Sequence, residues 1–405
     1  MAKYNYEKKV LKGLGVGAFL GEVKVRQAHI DQAESTIPTS VYNPNVIAAK
    51  LHPAVQFGKI AEVIDHGDAK TFVIVPDESK GCSELAYFRA GQYVSVELQF
   101  GGAYLCKPYT IASGPKSALA GSYRLTVKRT ANGYASDYIL DNWAVGTQLT
   151  LSGPLGQFYY ERLRDAKNVL ALAGGSGITP FLSMAEAVAD GTEDFNLTIL
   201  YGSRDHENIL LKVELDALEK ASGGKVKVVH VLSDDEAEGY EHGFIDAALI
   251  RKYAPAEDYS VFVCGPKAMY AFVEKELASL ELPRRRARFE LSGEYGDPTR
   301  DAEYPEGSAG KEFQVTVSFR GEEMAVRCRA EETLLHAMET AGIKVPSDCR
   351  SGECGWCHSR LISGDVYVPA SADGRRAADK KFGWVHPCVT YPLSDIEIEV
   401  FPLCK

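Results

Sequence analysis

The chain has 405 residues, with 45 Lys and Arg against 55 Asp and Glu and a formal net charge of −10. At roughly 100–200 residues per domain, that length implies two to four domains. So acidic a balance excludes DNA or RNA as the main partner, because phosphate recognition needs a basic face.

Apolar residues make up 45% of the chain and charged residues 25%, the mix of a globular protein rather than a disordered one. No apolar run approaches about 18 residues, so no membrane span is expected. Residues 11–20 are interrupted by Lys12, Gly13, Gly15 and Gly17. No signal peptide is therefore expected, and a cytoplasmic location follows. Residues 7–16 and 45–51 read as short helices and 34–45 as loop, leaving 1–53 as an N-terminal extension without an assigned role.

From 54 to 164 the pattern is that of short alternating strands. They cover 56–65, 71–75, 92–100, 107–112, 122–129 and 148–152, punctuated by His66-Gly67-Asp68, Gly101-Gly102 and Asn132-Gly133. Such spacing predicts a small antiparallel β-barrel. From 165 to 292 the period changes. The apolar strands 168–173, 197–201, 225–232 and 259–264 alternate with helices predicted at 180–189, 209–221, 246–253 and 267–280, which implies an α/β domain with a parallel sheet. Residues 293–311, with four Gly, two Pro and many charges, have linker composition. In 312–405 a hairpin (313–319 and 324–329 around Arg320-Gly321), a helix (333–341) and a last strand (396–401) predict an α+β domain.

Nine cysteines, an odd number, argue against a disulfide framework in a chain of this size. Three of them form the run Cys349-Arg350-Ser351-Gly352-Glu353-Cys354-Gly355-Trp356-Cys357, and Cys388 follows at a distance. C-x4-C-x2-C with a remote fourth Cys is the plant-type [2Fe–2S] ligand spacing. Gly352 and Gly355 allow a tight loop whose N–H groups face the sulfurs. A structural zinc site, the competing reading, takes its sulfurs as paired C-x2-C knuckles and fits less well. Cys82, Cys106, Cys328 and Cys404 read as ordinary small apolar or exposed thiols.

Two glycine loops follow apolar strands. Gly174-Gly175-Ser176-Gly177-Ile178-Thr179-Pro180 ends strand 168–173 and opens a helix, and Cys264-Gly265-Pro266-Lys267-Ala268-Met269 does the same after 259–264. Both fall on the carboxyl edge of a parallel sheet, where free N–H groups and a helix dipole suit a pyrophosphate. On the barrel, Lys107-Pro108-Tyr109-Thr110 offers a flat ring, a hydroxyl and a cation, and Gly133-Tyr134-Ala135-Ser136 is a strand-to-helix turn able to cradle phosphate.

These stretches together resemble the ferredoxin–NADP reductase superfamily over about 54–291, followed by a plant-type ferredoxin (β-grasp) domain. This is the flavin, nicotinamide, iron–sulfur order of phthalate dioxygenase reductase-like proteins. The family's R-x-Y-[ST] flavin motif stands here as Lys107-Pro108-Tyr109-Thr110, with Lys in place of Arg; its G-x-x-S turn stands as Gly133…Ser136; and its G-Q-Y strand as Gly91-Gln92-Tyr93. The resemblance implies FAD rather than FMN, with Tyr109 packed on the isoalloxazine and Thr110 near its N5. It places Cys264 at the docked nicotinamide and Glu290 at the flavin edge, where Phe289 and Tyr295 compete for the aromatic role. Cys349, Cys354, Cys357 and Cys388 would hold [2Fe–2S].

The activity implied is electron transfer from a nicotinamide through flavin and cluster to a partner redox protein, such as an oxygenase component. An electron-relay subunit without its own nicotinamide turnover and a redox sensor are the alternatives. NADH is expected over NADPH, because Ser233-Asp234-Asp235-Glu236 stands where plant-type NADP users have Ser-Arg. Three carboxylates repel a 2′-phosphate, and one of them can bind a free ribose hydroxyl. Arg204 and Lys212 act in the opposite sense.

Overall fold

The computed structural model describes residues 16–32, 42–130, 133–280, 282–290, 293 and 295–401. Most of the helix expected at 7–16, some of the loop at 34–45, Asn132 and Cys404 lie outside them. Ahead of the first strand stand two helices, α1 (Val16–Asp31) and α2 (Asn43–Leu51). The first was not anticipated: its sequence has no apolar stripe at helical period, and its described side chains from Gly21 onward are exposed.

Six antiparallel strands follow: β1 (Gln56–Asp65), β2 (Ala69–Pro76), β3 (Tyr93–Phe100), β4 (Ala103–Thr110), β5 (Tyr123–Lys128) and β6 (Gln148–Leu151). They carry the helices α3 (Lys116–Leu119) and α4 (Tyr134–Asn142). The order is β4-β3-β6-β1-β2-β5, and a bridge between Ile111 and Leu125 brings the two edge strands together. The sheet therefore curls on itself around Phe72, Ile74, Val94, Val96, Leu105, Leu125 and Leu151. Closing a sheet in this way leaves it without open edges.

The parallel sheet holds β7 (Asn168–Gly174), β8 (Asn196–Ser203), β9 (Val226–Leu232), β10 (Glu241–His242), β11 (Tyr259–Cys264) and β12 (Ala287–Phe289) in the order β10-β9-β8-β7-β11-β12. Its helices are α5 (Thr179–Ala189), α6 (Lys212–Ala221), α7 (Ala247–Tyr253) and α8 (Lys267–Ala278). Layers on both faces bury the strands, which is why they read as unbroken apolar runs. On α5, Phe181, Met184 and Ala185 are wholly inaccessible, and full burial of a large side chain of this kind stabilises by about 1.5–3 kcal/mol. The chain order reverses at β7, whose neighbours are β8 on one side and β11 on the other. The loops leaving β7 and β11 thus open the crevice in which such sheets bind ligands.

The last sheet, β14-β13-β19-β15-β17, is mixed. Its strands are β13 (Glu312–Phe319), β14 (Glu322–Arg329), β15 (Ser359–Ser363), β17 (Trp384–Val385) and β19 (Ile396–Val400), and a small ribbon pairs β16 (Val366–Tyr367) with β18 (Tyr391–Pro392). Helix α9 (Leu334–Thr340) packs on it and α10 (Ala377–Lys381) lies outside. The β13–β14 hairpin turns through Arg320 and Gly321, both at positive φ (56° and 84°), the turn that matches the twist of its strands. Thr333, expected inside the helix, is instead the N-cap of α9 and accepts from the His336 N–H. The segment of linker composition is pinned. The Tyr304 hydroxyl donates to the Ala330 carbonyl, and those of Tyr295 and Tyr367 donate to Asp301.

Candidate functional site

The four expected ligand cysteines come together as two pairs. The Ser351 and Cys354 N–H groups each lie 3.4 Å from the Cys349 sulfur. The Cys357 and Cys388 sulfurs are 3.4 Å apart. A hydrogen bond from the Cys354 side chain, and further ones from Ser351, hold the Cys349 thiol well below the usual thiol range despite burial. The division of the sulfurs two and two suits a core of two irons. Gly352 sits at φ 86°, and a Cβ there would lie 2.2 Å from the Ala372 carbonyl oxygen. Only glycine lets the loop fold this tightly.

The loop is fastened to the barrel. Arg350, next to Cys349, is left-handed (φ 58°) and nearly inaccessible. Its Nη1 donates to Glu339 Oε1 (2.7 Å) and to the Cys106 carbonyl (3.0 Å). Glu339 also accepts from the Cys106 N–H at 3.3 Å. Cys106 immediately precedes Lys107. One hydrogen bond thus joins the residue after Cys349 to the residue before Lys107. Ser95 donates to Asp348, and Lys344 reaches Glu97 at 3.4 Å, so both strands of the β3–β4 hairpin take part.

Strand β4 is buried from Ala103 to Leu105 and half-buried from Cys106 to Thr110, so Lys107, Pro108, Tyr109 and Thr110 are each only partly covered, on alternating sides of the strand. Tyr109 leans on the barrel core. Gly133 caps α4, whose first N–H groups, Tyr134 to Ser136, have no intrahelical acceptor. The Ser136 hydroxyl lies 3.4 Å from the Gly133 carbonyl, and Ala135 is buried. The Tyr134 ring packs on Phe100 and edge-on to His336.

On the parallel sheet the two glycine loops touch. A Cβ on Gly177 would lie 2.2 Å from the Cys264 carbonyl oxygen, and one on Gly174 would strike Met269 and Pro266. Gly175 and Gly177 form a 3-10 turn leading into α5, Thr179 donates back to the Ser176 carbonyl, and Ser176 is exposed. A cavity of about 1020 Å³ opens beside them. Gly174, Gly175, Arg204 and Pro266 line it; Ser176, Gly177, Thr179, Asp234, Cys264 and Gly265 do not.

Cys264 is buried, and burial pushes its thiol well up. The Tyr270 hydroxyl donates to the Glu290 carbonyl and takes the Gly265 N–H, tying the loop to the end of β12. Burial, with Glu353 and Cys349 nearby, pushes the Glu290 carboxyl up to about 8. Phe289 packs on Tyr270, and the Tyr295 ring sits under Lys267. Asp234 donates its N–H to the Arg204 carbonyl and accepts from Ser233. Asp235 is paired with His206.

Sequence reasoning missed Phe244 and Phe272, whose rings stand 6.0 Å apart in the cavity wall. A lone Phe after Gly243 carries no signal distinguishing it from a core residue. It missed Arg350 as well, since an Arg between cysteines reads as solvated.

Family models match this chain three times in succession: an oxidoreductase FAD-binding domain at 78–160, an oxidoreductase NAD-binding domain at 171–275 and a 2Fe-2S iron–sulfur cluster binding domain at 317–393. A phthalate dioxygenase reductase structure, described as modular for electron transfer from pyridine nucleotides to [2Fe–2S], superposes with TM-score 0.63 at 24% identity. It covers 86% of this chain and 98% of its own, a likeness of fold. The ferredoxin reductase component of a 3-ketosteroid-9-alpha-monooxygenase from Rhodococcus rhodochrous is 31% identical over 344 residues, 83% of this chain and 93% of that protein. A glycine betaine monooxygenase reductase subunit from Chromohalobacter salexigens is 28% identical over 346 residues, covering 82% and 91%. Fold and site define a flavin- and nicotinamide-binding iron–sulfur oxidoreductase. The chain belongs to the family of ferredoxin reductase components built from FAD-binding, NAD-binding and 2Fe-2S domains. It is an electron-transfer enzyme running from nicotinamide through FAD and [2Fe–2S] to a protein acceptor, as its sequence implied.

Proposed function

We propose that this chain is the reductase component of an oxygenase, works in the cytoplasm and prefers NADH. The observation that carries the reading is the Arg350 bond to the Cys106 carbonyl, which holds the cysteine loop against the strand bearing Lys107–Thr110. FAD held by Lys107–Thr110 and the Gly133–Ser136 turn would supply the conversion of two-electron hydride chemistry into single-electron transfer. The protein's role is to hold donor and acceptor in register.

In this reading the chain divides into an extension (1–53), a flavin barrel (54–164), a nicotinamide domain (165–292), a linker (293–311) and a ferredoxin domain (312–405). Tyr109 and Thr110 face the flavin ring, Lys107 and the Gly133–Ser136 turn face its phosphates, and Gly174–Thr179, Gly265 and Pro266 receive the nicotinamide nucleotide. Cys264 and Glu290 flank the hydride path. Asp234 and the neighbouring carboxylates disfavour a 2′-phosphate; Arg204, beside them, binds the pyrophosphate.

The test is kcat/KM for NADH and NADPH with ferricyanide, then reconstitution with purified oxygenase components, including those acting on steroids and on glycine betaine. A ratio favouring NADPH overturns the cofactor preference. Failure to drive any oxygenase while reducing other protein acceptors overturns the partner class.

A further inference from the structure

We propose that the electron acceptor docks on the face formed by α10, Phe382 and the aromatic stack behind them, and that it presents an acidic surface around its own redox centre. The proposal rests on the reading of this chain as a reductase that serves a separate protein.

Three observations carry it. The first is position. A Cβ on Gly374 would lie 2.5 Å from the Gly352 carbonyl oxygen and 3.2 Å from Glu353 Cα. His358, which follows Cys357, has its Nε2 3.4 Å from Asp379 on α10. The segment therefore lies one layer outside the cysteine loop and touches it on two sides. The barrel holds a different stretch of that loop, through Arg350.

The second is charge. Between Asp373 and Phe382 the chain has Arg375, Arg376, Lys380 and Lys381 against Asp373 and Asp379. Both carboxylates point inward, with side chains only 10% and 9% exposed; Asp373 pairs with Arg375 and with Lys380 (2.9 Å), and Asp379 with Arg376. The Arg376 side chain is 82% exposed and that of Lys380 49%. Glu353 is the acidic group at the edge. Four cations against two inward carboxylates leave this segment of an acidic chain with an excess of positive charge at its surface, beside the cysteine loop. Facing charges of opposite sign accelerate encounter and fix orientation.

The third is apolar contact and connection. Phe382 is 62% exposed beside Lys381, and Trp356 and Phe401 are also open. From Phe401 a stack runs inward through Trp384 (5.4 Å) to His358 (4.2 Å, near-parallel), next to Cys357. Aromatic anchors within a charged rim are the composition of a protein-docking surface.

The experiment uses the full holoenzyme with two one-electron probe proteins, acidic rubredoxin and basic cytochrome c. In Lys380→Glu/Lys381→Glu, kcat/KM for rubredoxin at low ionic strength should fall about tenfold and that for cytochrome c should rise. Both differences should vanish above roughly 0.5 M salt, where screening is short-ranged. NADH oxidation with ferricyanide should not change. If the double variant loses its visible cluster bands, Lys381→Gln, which removes one exposed charge, decides with a smaller change of the same sign. Unchanged rubredoxin and cytochrome c kinetics in cluster-loaded variants overturn the docking face and leave the reductase reading standing. A wild-type chain that does not oxidise NADH overturns that reading instead.

Discussion

Replacing Glu339 with Gln tests the joint between cluster and barrel. Arg350 and Glu339 are 1% and 0% exposed and 2.7 Å apart. Removing one member of a buried ion pair costs about 3–5 kcal/mol. The Gln amide oxygen still accepts from the Arg350 guanidinium, and a hydrogen bond to a charged group returns about 1.5–3 kcal/mol. The net loss is therefore roughly 1–3 kcal/mol. Left-handed strain at Arg350, about 1–2 kcal/mol, is present in both proteins and cancels. With a urea m-value of about 2 kcal/mol/M, the midpoint followed by bleaching of the cluster absorbance should fall by about 1 M. The double variant Glu339→Gln/Arg350→Met removes both charges and should recover most of that loss. It should still pass electrons from flavin to cluster more slowly in stopped flow, since the bond to Cys106 is gone. An unmoved midpoint in the single variant, or a double variant no more stable than the single, refutes the reasoning.

Cys349→Ser should bleach the visible cluster bands and abolish reduction of protein acceptors, while NADH–ferricyanide activity stays largely intact; its disappearance with flavin still bound would show that the path is not modular. Flavin released by denaturation should run as FAD on chromatography, and a clean FMN peak defeats that assignment. Gly177→Ala puts a Cβ 2.2 Å from the Cys264 carbonyl oxygen, so KM for NADH should rise at least about tenfold with flavin content unchanged, a small misplacement at a reacting centre being that costly. Asp234→Arg should raise kcat/KM for NADPH relative to NADH by about tenfold or more, as a guanidinium forks onto phosphate; no gain dissociates that loop from cofactor choice.

The iron–sulfur domain was legible in the cysteine spacing, a covalent property of the chain, and the barrel and parallel sheet because period 2 and buried apolar runs are local signals. The two glycine loops were legible as loops, but their mutual contact at Gly177 and Cys264 is a product of strand order. Arg350 was illegible for a related reason: its burial depends on Glu339 and on a backbone carbonyl 244 positions away. Residues 293–311 have the composition of a free tether, yet Tyr304 and Asp301 fasten them to the last domain. Composition counts glycines and charges and does not register two well-placed hydroxyls. In α1 the helix forms without the apolar stripe on which period-based reading depends.

The fastening of β3–β4 to the cysteine loop has a kinetic consequence. If the cysteine loop carries the cluster and β4 the flavin, as proposed, the Arg350 bond to the Cys106 carbonyl holds the two sites together. Solvent viscosity should then leave internal transfer untouched and slow only the arrival of the acceptor. A hydride carries two electrons and the outlet passes one, so each nicotinamide oxidised needs two successive visits. Where a spent acceptor departs more slowly than electrons move within the chain, that departure sets the ceiling on turnover, and an overly adhesive partner would throttle the enzyme that feeds it.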